Sequence, residues 1–259
     1  MFNISHHSSE FSIPHGDDSI DVRFHTPNAP KPDGERALLL SFAGEKQSSL
    51  TADRFSLVAQ EFVSHGHAAL SFDLPNHGDQ VDEHGEGITG MRNALVAGED
   101  PFQLFVDRGR AVIDYCLDRG LATSDRIVVC GTSRGGYMAL RLLAADARIR
   151  AGAGFAPVTD WRDLDEFRRD RERQDMALLN LSTQAANLAE RAVFLVIGHG
   201  DDRVNTASCC QLFVDIQQER KQRDIRQGAV DFYCTDDPGH SCGRAWYQKG
   251  AEFLLEQIT

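Results

Sequence analysis

Arg126-Ile-Val-Val-Cys130, Gly131-Thr-Ser-Arg-Gly135 and Tyr137-Met-Ala-Leu-Arg-Leu-Leu-Ala144 are the stretches whose succession decides the fold. An apolar, β-branched run is followed by G-x-S-x-G and then by a run of helical character, the order strand, tight turn, helix. In such a turn the backbone doubles back so closely that the residues two before and two after the serine have no room for side chains. Gly131 and Gly135 meet that demand and Gly136 adds room. The serine is then held in a strained conformation with its hydroxyl above the sheet. It sits at the N-terminus of a helix whose dipole and free amides favour negative charge. Ser133 is therefore the candidate nucleophile. The same five residues also suit an ordinary glycine-rich turn, and residues later in the chain must decide between the two.

A serine of normal pKa needs a general base, and that base needs an orienting acid; after a strand-turn-helix serine they follow in the order Ser, Asp, His. Ala192-Val-Phe-Leu-Val-Ile197 reads as a buried parallel strand ending in the polar loop Gly198-His-Gly-Asp201-Asp-Arg-Val204, which makes Asp201 the candidate acid. Asp202 is its main rival, and Asp160 a weaker one. Ala229-Val-Asp-Phe-Tyr-Cys234 reads as the last strand. It leads into Thr235-Asp-Asp-Pro-Gly-His240-Ser, which makes His240 the candidate base.

The set Gly131-Thr-Ser-Arg-Gly-Gly136, Gly198-x-x-Asp201-x-Arg-Val204 and Pro238-Gly-His240-Ser resembles the α/β-hydrolase superfamily, closest to its prolyl-oligopeptidase-like and dienelactone-hydrolase-like branches. Ser71-Phe-Asp-Leu-Pro-Asn-His-Gly78 is similar to the D-x-P-x-H-G loop that follows an early strand in many of these enzymes. The resemblance runs from about residue 37 to the C-terminus. It implies a mostly parallel central sheet of about eight strands flanked by helices, with a small helical cap after the sixth strand. It also implies an oxyanion hole built from the backbone N–H of Arg134 and one from the loop after the third strand, Gly44 first and Ala43 next. Where most relatives carry His-Gly at that strand end, this chain has Phe42-Ala-Gly44-Glu.

Bulk properties agree with one domain over residues 1–259. The chain is 41% hydrophobic and 25% charged, with no internal repeat or low-complexity tract. Its formal charge of -12 is spread along the sequence, which disfavours nucleic acid and anionic membranes as partners. The N-terminus lacks the basic and apolar regions of a secretory signal, and no apolar stretch approaches the length of a membrane span. Several of the six cysteines lie in apolar runs, and Cys209 and Cys210 are adjacent, so they read as reduced thiols in a cytoplasmic protein. The ten histidines lack zinc-ligand spacing, and Gly85-Glu-Gly-Ile-Thr-Gly90 follows no apolar strand. Neither a metal nor a dinucleotide cofactor is expected.

Along the chain, strand and helix signals alternate. An antiparallel region over residues 11–25 belongs to an N-terminal β extension, residues 1–36. Strands follow at 37–42, 67–72, 126–130, 150–155, 192–197 and 229–234. Helices are expected at 52–64, 102–118, 206–221 and from Arg244 to Ile258, and residues 76–98 read as a long polar loop. The cap insertion occupies 157–191, where Trp161, Leu164 and Phe167 recur every three residues as on a helical face. That face either covers the sheet edge or brings Trp161 and Phe167, with Phe42, to a substrate pocket.

The expected activity is hydrolysis of a small or medium carboxylic ester through an acyl-enzyme on Ser133, without a cofactor. Peptide or amide cleavage and acyl transfer are the alternatives within catalysis. Ligand binding by a non-catalytic member of the fold is the alternative outside it. Self-association into a homodimer stays open.

Overall fold

In the computed structural model, which describes residues 6–16, 18–32 and 34–259, the strands are β1 (His6–His15), β2 (Asp18–Pro27), β3 (Leu38–Phe42) and β4 (Ala68–Phe72). They continue with β5 (Ile127–Thr132), β6 (Ile149–Phe155), β7 (Ala192–Gly198) and β8 (Val230–Thr235). All eight belong to one sheet in the order β1-β2-β4-β3-β5-β6-β7-β8. The β1-β2 hairpin is antiparallel and joins β4 antiparallel; every pairing from β4 across to β8 is parallel. This is the mostly parallel, eight-stranded sheet that the resemblance to α/β-hydrolases implies.

The apolar runs follow from burial on both faces. Because successive side chains alternate across a strand, Leu38, Leu40, Ile127, Val129, Val193, Leu195 and Ile197 enter one core cluster. Leu39, Val128, Cys130, Ala151, Ala153, Phe194 and Val196 enter the other.

Helices cover both layers: α1 (Lys46–Thr51), α2 (Leu57–Ser64), α3 (Gly87–Ala97), α4 (Pro101–Asp118) and α5 (Arg134–Ala145). Beyond the sixth strand come α6 (Gln174–Ala177), α7 (Ala185–Leu188), α8 (Thr206–Gln222) and α9 (Arg244–Glu256). Helix α4 starts where Pro101 occupies the first turn and the Asp100 carboxylate accepts from the amides of Phe102 and Gln103, a cap worth about 1 kcal/mol.

Three local expectations are corrected. The helix at 52–64 is divided: Ala52 is extended and separates α1 from a tight turn at Asp53–Ser56 that leads into α2. The polar loop at 76–98 contains α3, whose buried Met91, Ala94 and Leu95 form a helical face among glycines that read as loop. In the insertion, Trp161 and Phe167 stand on two separate turns of 3₁₀ helix, Trp161–Asp163 and Asp165–Phe167, with an extended Leu164 between them. A spacing of three suits the 3.0-residue period of those turns better than the α-helical one.

The turn between β5 and α5 sets the tightest packing near the sheet's centre. A Cβ on Gly131 would lie 2.2 Å from the Gly135 carbonyl oxygen, and one on Gly135 would lie 2.2 Å from the Phe42 carbonyl oxygen on β3. The atoms met are backbone, so neither clash can be relieved by rotating a side chain. Gly135→Ala should therefore destabilise the protein by about 2 kcal/mol or more, read as a lower urea midpoint. An unchanged midpoint would show that this contact is not a constraint.

Candidate active site

Ser133 has φ 56° and ψ -124°, a left-handed conformation rare outside glycine. Its surroundings hold it there. The Ser133 amide donates to the Phe155 carbonyl at 3.0 Å, and its own carbonyl accepts from Val158 at 3.0 Å and Tyr137 at 3.2 Å. The hydroxyl is thereby presented beyond the carboxyl end of β5.

Two further loops at that same sheet edge converge on it. The His240 Nε2 lies 2.9 Å from Ser133 Oγ, and His240 Nδ1 lies 2.9 Å from Asp201 Oδ2. Asp201, on the loop after β7, is 2% exposed. Its other oxygen accepts from the amides of Arg203 at 3.0 Å and Val204 at 3.2 Å. The carboxylate is thus fixed on one side by backbone donors and offers its remaining oxygen to the imidazole. Gly198 is needed at the start of this loop because a Cβ there would lie 2.4 Å from the Asp237 carbonyl oxygen, on the loop that carries His240. The rivals stand elsewhere: Asp202 is exposed, and Asp160 caps the turn at Trp161 while binding Arg162 and Asn180.

Cap residues brace the acid loop. Arg203 makes a bidentate pair with Glu166, at 2.8 and 2.7 Å, and Asn205 donates to Asp163 at 3.0 Å. Arg203 is held above its ordinary pKa first by the Glu166 hydrogen bonds, against the opposing effect of burial.

The strand-end loop after β3 faces the elbow. The Gly44 amide has no hydrogen-bond partner among the described residues. The Arg134 amide opens α5, where an intrahelical acceptor is lacking. Both are free donors beside the serine. Ala43 is excluded from that role, because its amide donates to Ser49 Oγ at 2.9 Å.

The loop is anchored by Asp73, the first residue of the D-x-P-x-H-G segment and one for which the sequence alone suggests no role. Its carboxylate accepts from the Lys46 amide at 2.6 Å, from Lys46 Nζ at 3.0 Å and from the Asp79 amide at 3.0 Å. Burial opposes the Lys46 charge, but hydrogen bonds to Asp79 and Asp73 outweigh it and raise its pKa. Leu74 also donates to the Gly44 carbonyl at 2.9 Å. His77 in the same segment turns Nδ1 to the Pro75 carbonyl, and burial followed by the Arg134 charge lowers its pKa, so the ring is neutral at pH 7.

A cleft of about 310 Å³ opens over Ser133 and His240, walled by Gly44, Glu45, Arg54, Arg134 and Tyr247 among others. The expected pocket aromatics are absent from its lining. Trp161 and Phe167 are fully buried in an aromatic cluster with Phe102 and Tyr137, and Phe42 packs on Phe72 and Phe105. Their apolar surface is satisfied by the core beneath the cap and sheet, leaving a cleft richer in charge. Among the described residues, no group of three or more His, Cys, Asp or Glu side chains is placed to hold a metal ion, and no helix is long and apolar enough to cross a membrane.

A protein of Sordaria macrospora described as a probable dipeptidyl-aminopeptidase B is 27% identical over 194 residues, which cover 69% of this chain and 20% of that protein. The chain thus spans about a fifth of the length of that relative. A cold-adapted esterase from an Arctic intertidal metagenomic library superimposes with a TM-score of 0.69 at 19% identity, covering 100% of this chain and 97% of the esterase. The acylaminoacyl peptidase of Pyrococcus horikoshii superimposes with a TM-score of 0.63 at 14% identity, covering 98% of this chain and 40% of the peptidase. These two likenesses show a shared fold. The sequence profile of the prolyl oligopeptidase family matches residues 105–259, the span that carries Ser133, Asp201 and His240, and the chain belongs to that family of serine hydrolases.

Proposed function

We propose that this enzyme hydrolyses small or medium carboxylic esters through an acyl-enzyme on Ser133. The observation that carries the proposal is the unbroken hydrogen-bond chain from Ser133 Oγ through His240 to Asp201, both links at 2.9 Å. Ser133 Oγ attacks the ester carbonyl as His240 Nε2 takes its proton, while Asp201 holds the Nδ1–H tautomer and stabilises the imidazolium. The oxyanion forms between the amides of Arg134 and Gly44, where each donor is worth roughly 3 kcal/mol of transition-state stabilisation. Collapse of the tetrahedral intermediate expels the alkoxide, which His240 protonates. A water activated by the same imidazole then releases the acid.

The reading favours esters on chemical grounds. An alkoxide leaves more readily than an amine and asks less complete protonation of His240. A cleft of about 310 Å³ also suits a small acyl group. The second reading is peptide cleavage, favoured by the name of the Sordaria macrospora relative.

Ser133→Ala and His240→Ala should each lower kcat by roughly four to six orders of magnitude with the fold retained, and Asp201→Asn somewhat less. Asp202→Asn should stay near wild type, because Asp202 is exposed and outside the hydrogen-bond chain. Normal turnover in Ser133→Ala would contradict the mechanism, and a loss confined to Asp202→Asn would transfer the acid role. Paired kcat/KM measurements on short-chain esters and on peptide amides test the substrate class: esters should be preferred, and a clear preference for amides would establish the peptidase reading instead.

A further inference from the structure

Arginines of this protein commonly meet carboxylates: Arg203 pairs with Glu166, Arg162 with Asp160, Arg92 with Asp170 and Arg148 with Asp146. Arg134 differs. It follows the nucleophile, lines the cleft and is half-buried, yet its side chain has neither an ion pair nor a hydrogen bond among the described residues. Its Nε is buried without a partner. Of the acidic groups around it, Glu166 is engaged on both oxygens by Arg203, and Glu45 is exposed at the cleft wall. Burial, then the Arg203 charge, press its pKa downward, the direction expected of a guanidinium whose counter-ion is missing. Arg54, exposed on the same cleft, is likewise without an ion pair among the described residues. A protein of formal charge -12 thus lines the cleft over its nucleophile with two guanidiniums and one carboxylate, that of Glu45.

The position of the guanidinium says which part of a substrate it meets. A Cβ on Gly44 would lie 3.0 Å from Arg134 Nη2 and 3.3 Å from His77 Cδ2, so the guanidinium rests on the loop after β3. In the sheet, β3 flanks β5 on one side, whereas β7 and β8, which carry Asp201 and His240, lie on the other. The leaving group must depart next to His240, which protonates it. The carbonyl oxygen takes the amides of Gly44 and Arg134, and an acyl chain running along the cleft away from His240 passes the Arg134 guanidinium that lines it.

We propose that the Arg134 side chain binds a carboxylate at the far end of the acyl group, so that the enzyme selects esters of dicarboxylic half-acids. The proposal rests on Ser133 being the nucleophile. A guanidinium fork matches a carboxylate through two parallel N–H donors, and a bound carboxylate would supply the partner that the accessible end of the side chain lacks.

The test compares two para-nitrophenyl esters that share the leaving group and chain length, one with its acyl chain ending in a carboxylate and the other in a primary amide. Wild-type kcat/KM should favour the carboxylate by roughly ten- to a hundredfold, and added salt should reduce that ratio. Arg134→Gln should bring the ratio to about one or below, and Arg134→Lys should restore part of it. Should the glutamine variant not fold, wild-type inhibition by short dicarboxylates against their diamides gives the same reading, with the dicarboxylates expected to bind more tightly. Equal wild-type rates on the two esters, or a preference that survives in Arg134→Gln, would overturn the role of Arg134 while leaving Ser133 as the nucleophile. Turnover of both esters by Ser133→Ala would overturn the underlying mechanism, and the proposal with it.

Discussion

The backbone contact between Gly131, Gly135 and the Phe42 carbonyl is the constraint on which the site depends. With 2.2 Å between each absent Cβ and the facing carbonyl oxygen, β5 and α5 can meet only as a tight elbow pressed against the end of β3. Ser133 then takes its strained φ of 56°, a cost of about 1–3 kcal/mol that the packed sheet offsets. The same contact seats the loop after β3 beside the serine. One close approach therefore positions both the nucleophile and the free Gly44 amide.

The other half of the site is placed by loops rather than by the sheet alone. Asp201 receives two amide donors from its own loop, and that loop is tied to the cap through Glu166–Arg203 and Asp163–Asn205. On the opposite side, Asp73 fixes the start of α1 and so the loop that bears Gly44. The cap acts here as a brace for the acid loop and as cover for the aromatic core, in place of a wall for the substrate.

Ser133, Asp201 and His240 were legible because each sits at a fixed place after a continuous apolar strand, where topology forces it to the same sheet edge. Residues governed by contacts distant in sequence, or by local hydrogen bonds without a motif, were not. Ala43 stands next after Gly44 as a donor from sequence, since nothing there shows that Ser49 Oγ takes its amide. Trp161, Phe167 and Phe42 carried the apolar surface expected of a pocket, but equally that of a core, and the partners that decide it, Phe102, Tyr137, Phe72 and Phe105, lie on other elements. Helix α3 was hidden by the glycines at 85, 87 and 90, which read as loop although Gly90 packs against the Gly85 carbonyl within the turn. Arg134 could be placed beside the nucleophile from sequence, but its missing counter-ion is a property of the folded surroundings.

Acylation of the strained Ser133 hydroxyl is the step on which the proposed mechanism turns. Its most direct test is reaction of the native protein with a fluorophosphonate, followed by peptide mapping by mass spectrometry. Stoichiometric labelling confined to Ser133, and abolished when the protein is heat-denatured beforehand, is the predicted result. Labelling at another residue, or a native protein that takes up no label, would rule out Ser133 as the acylated group.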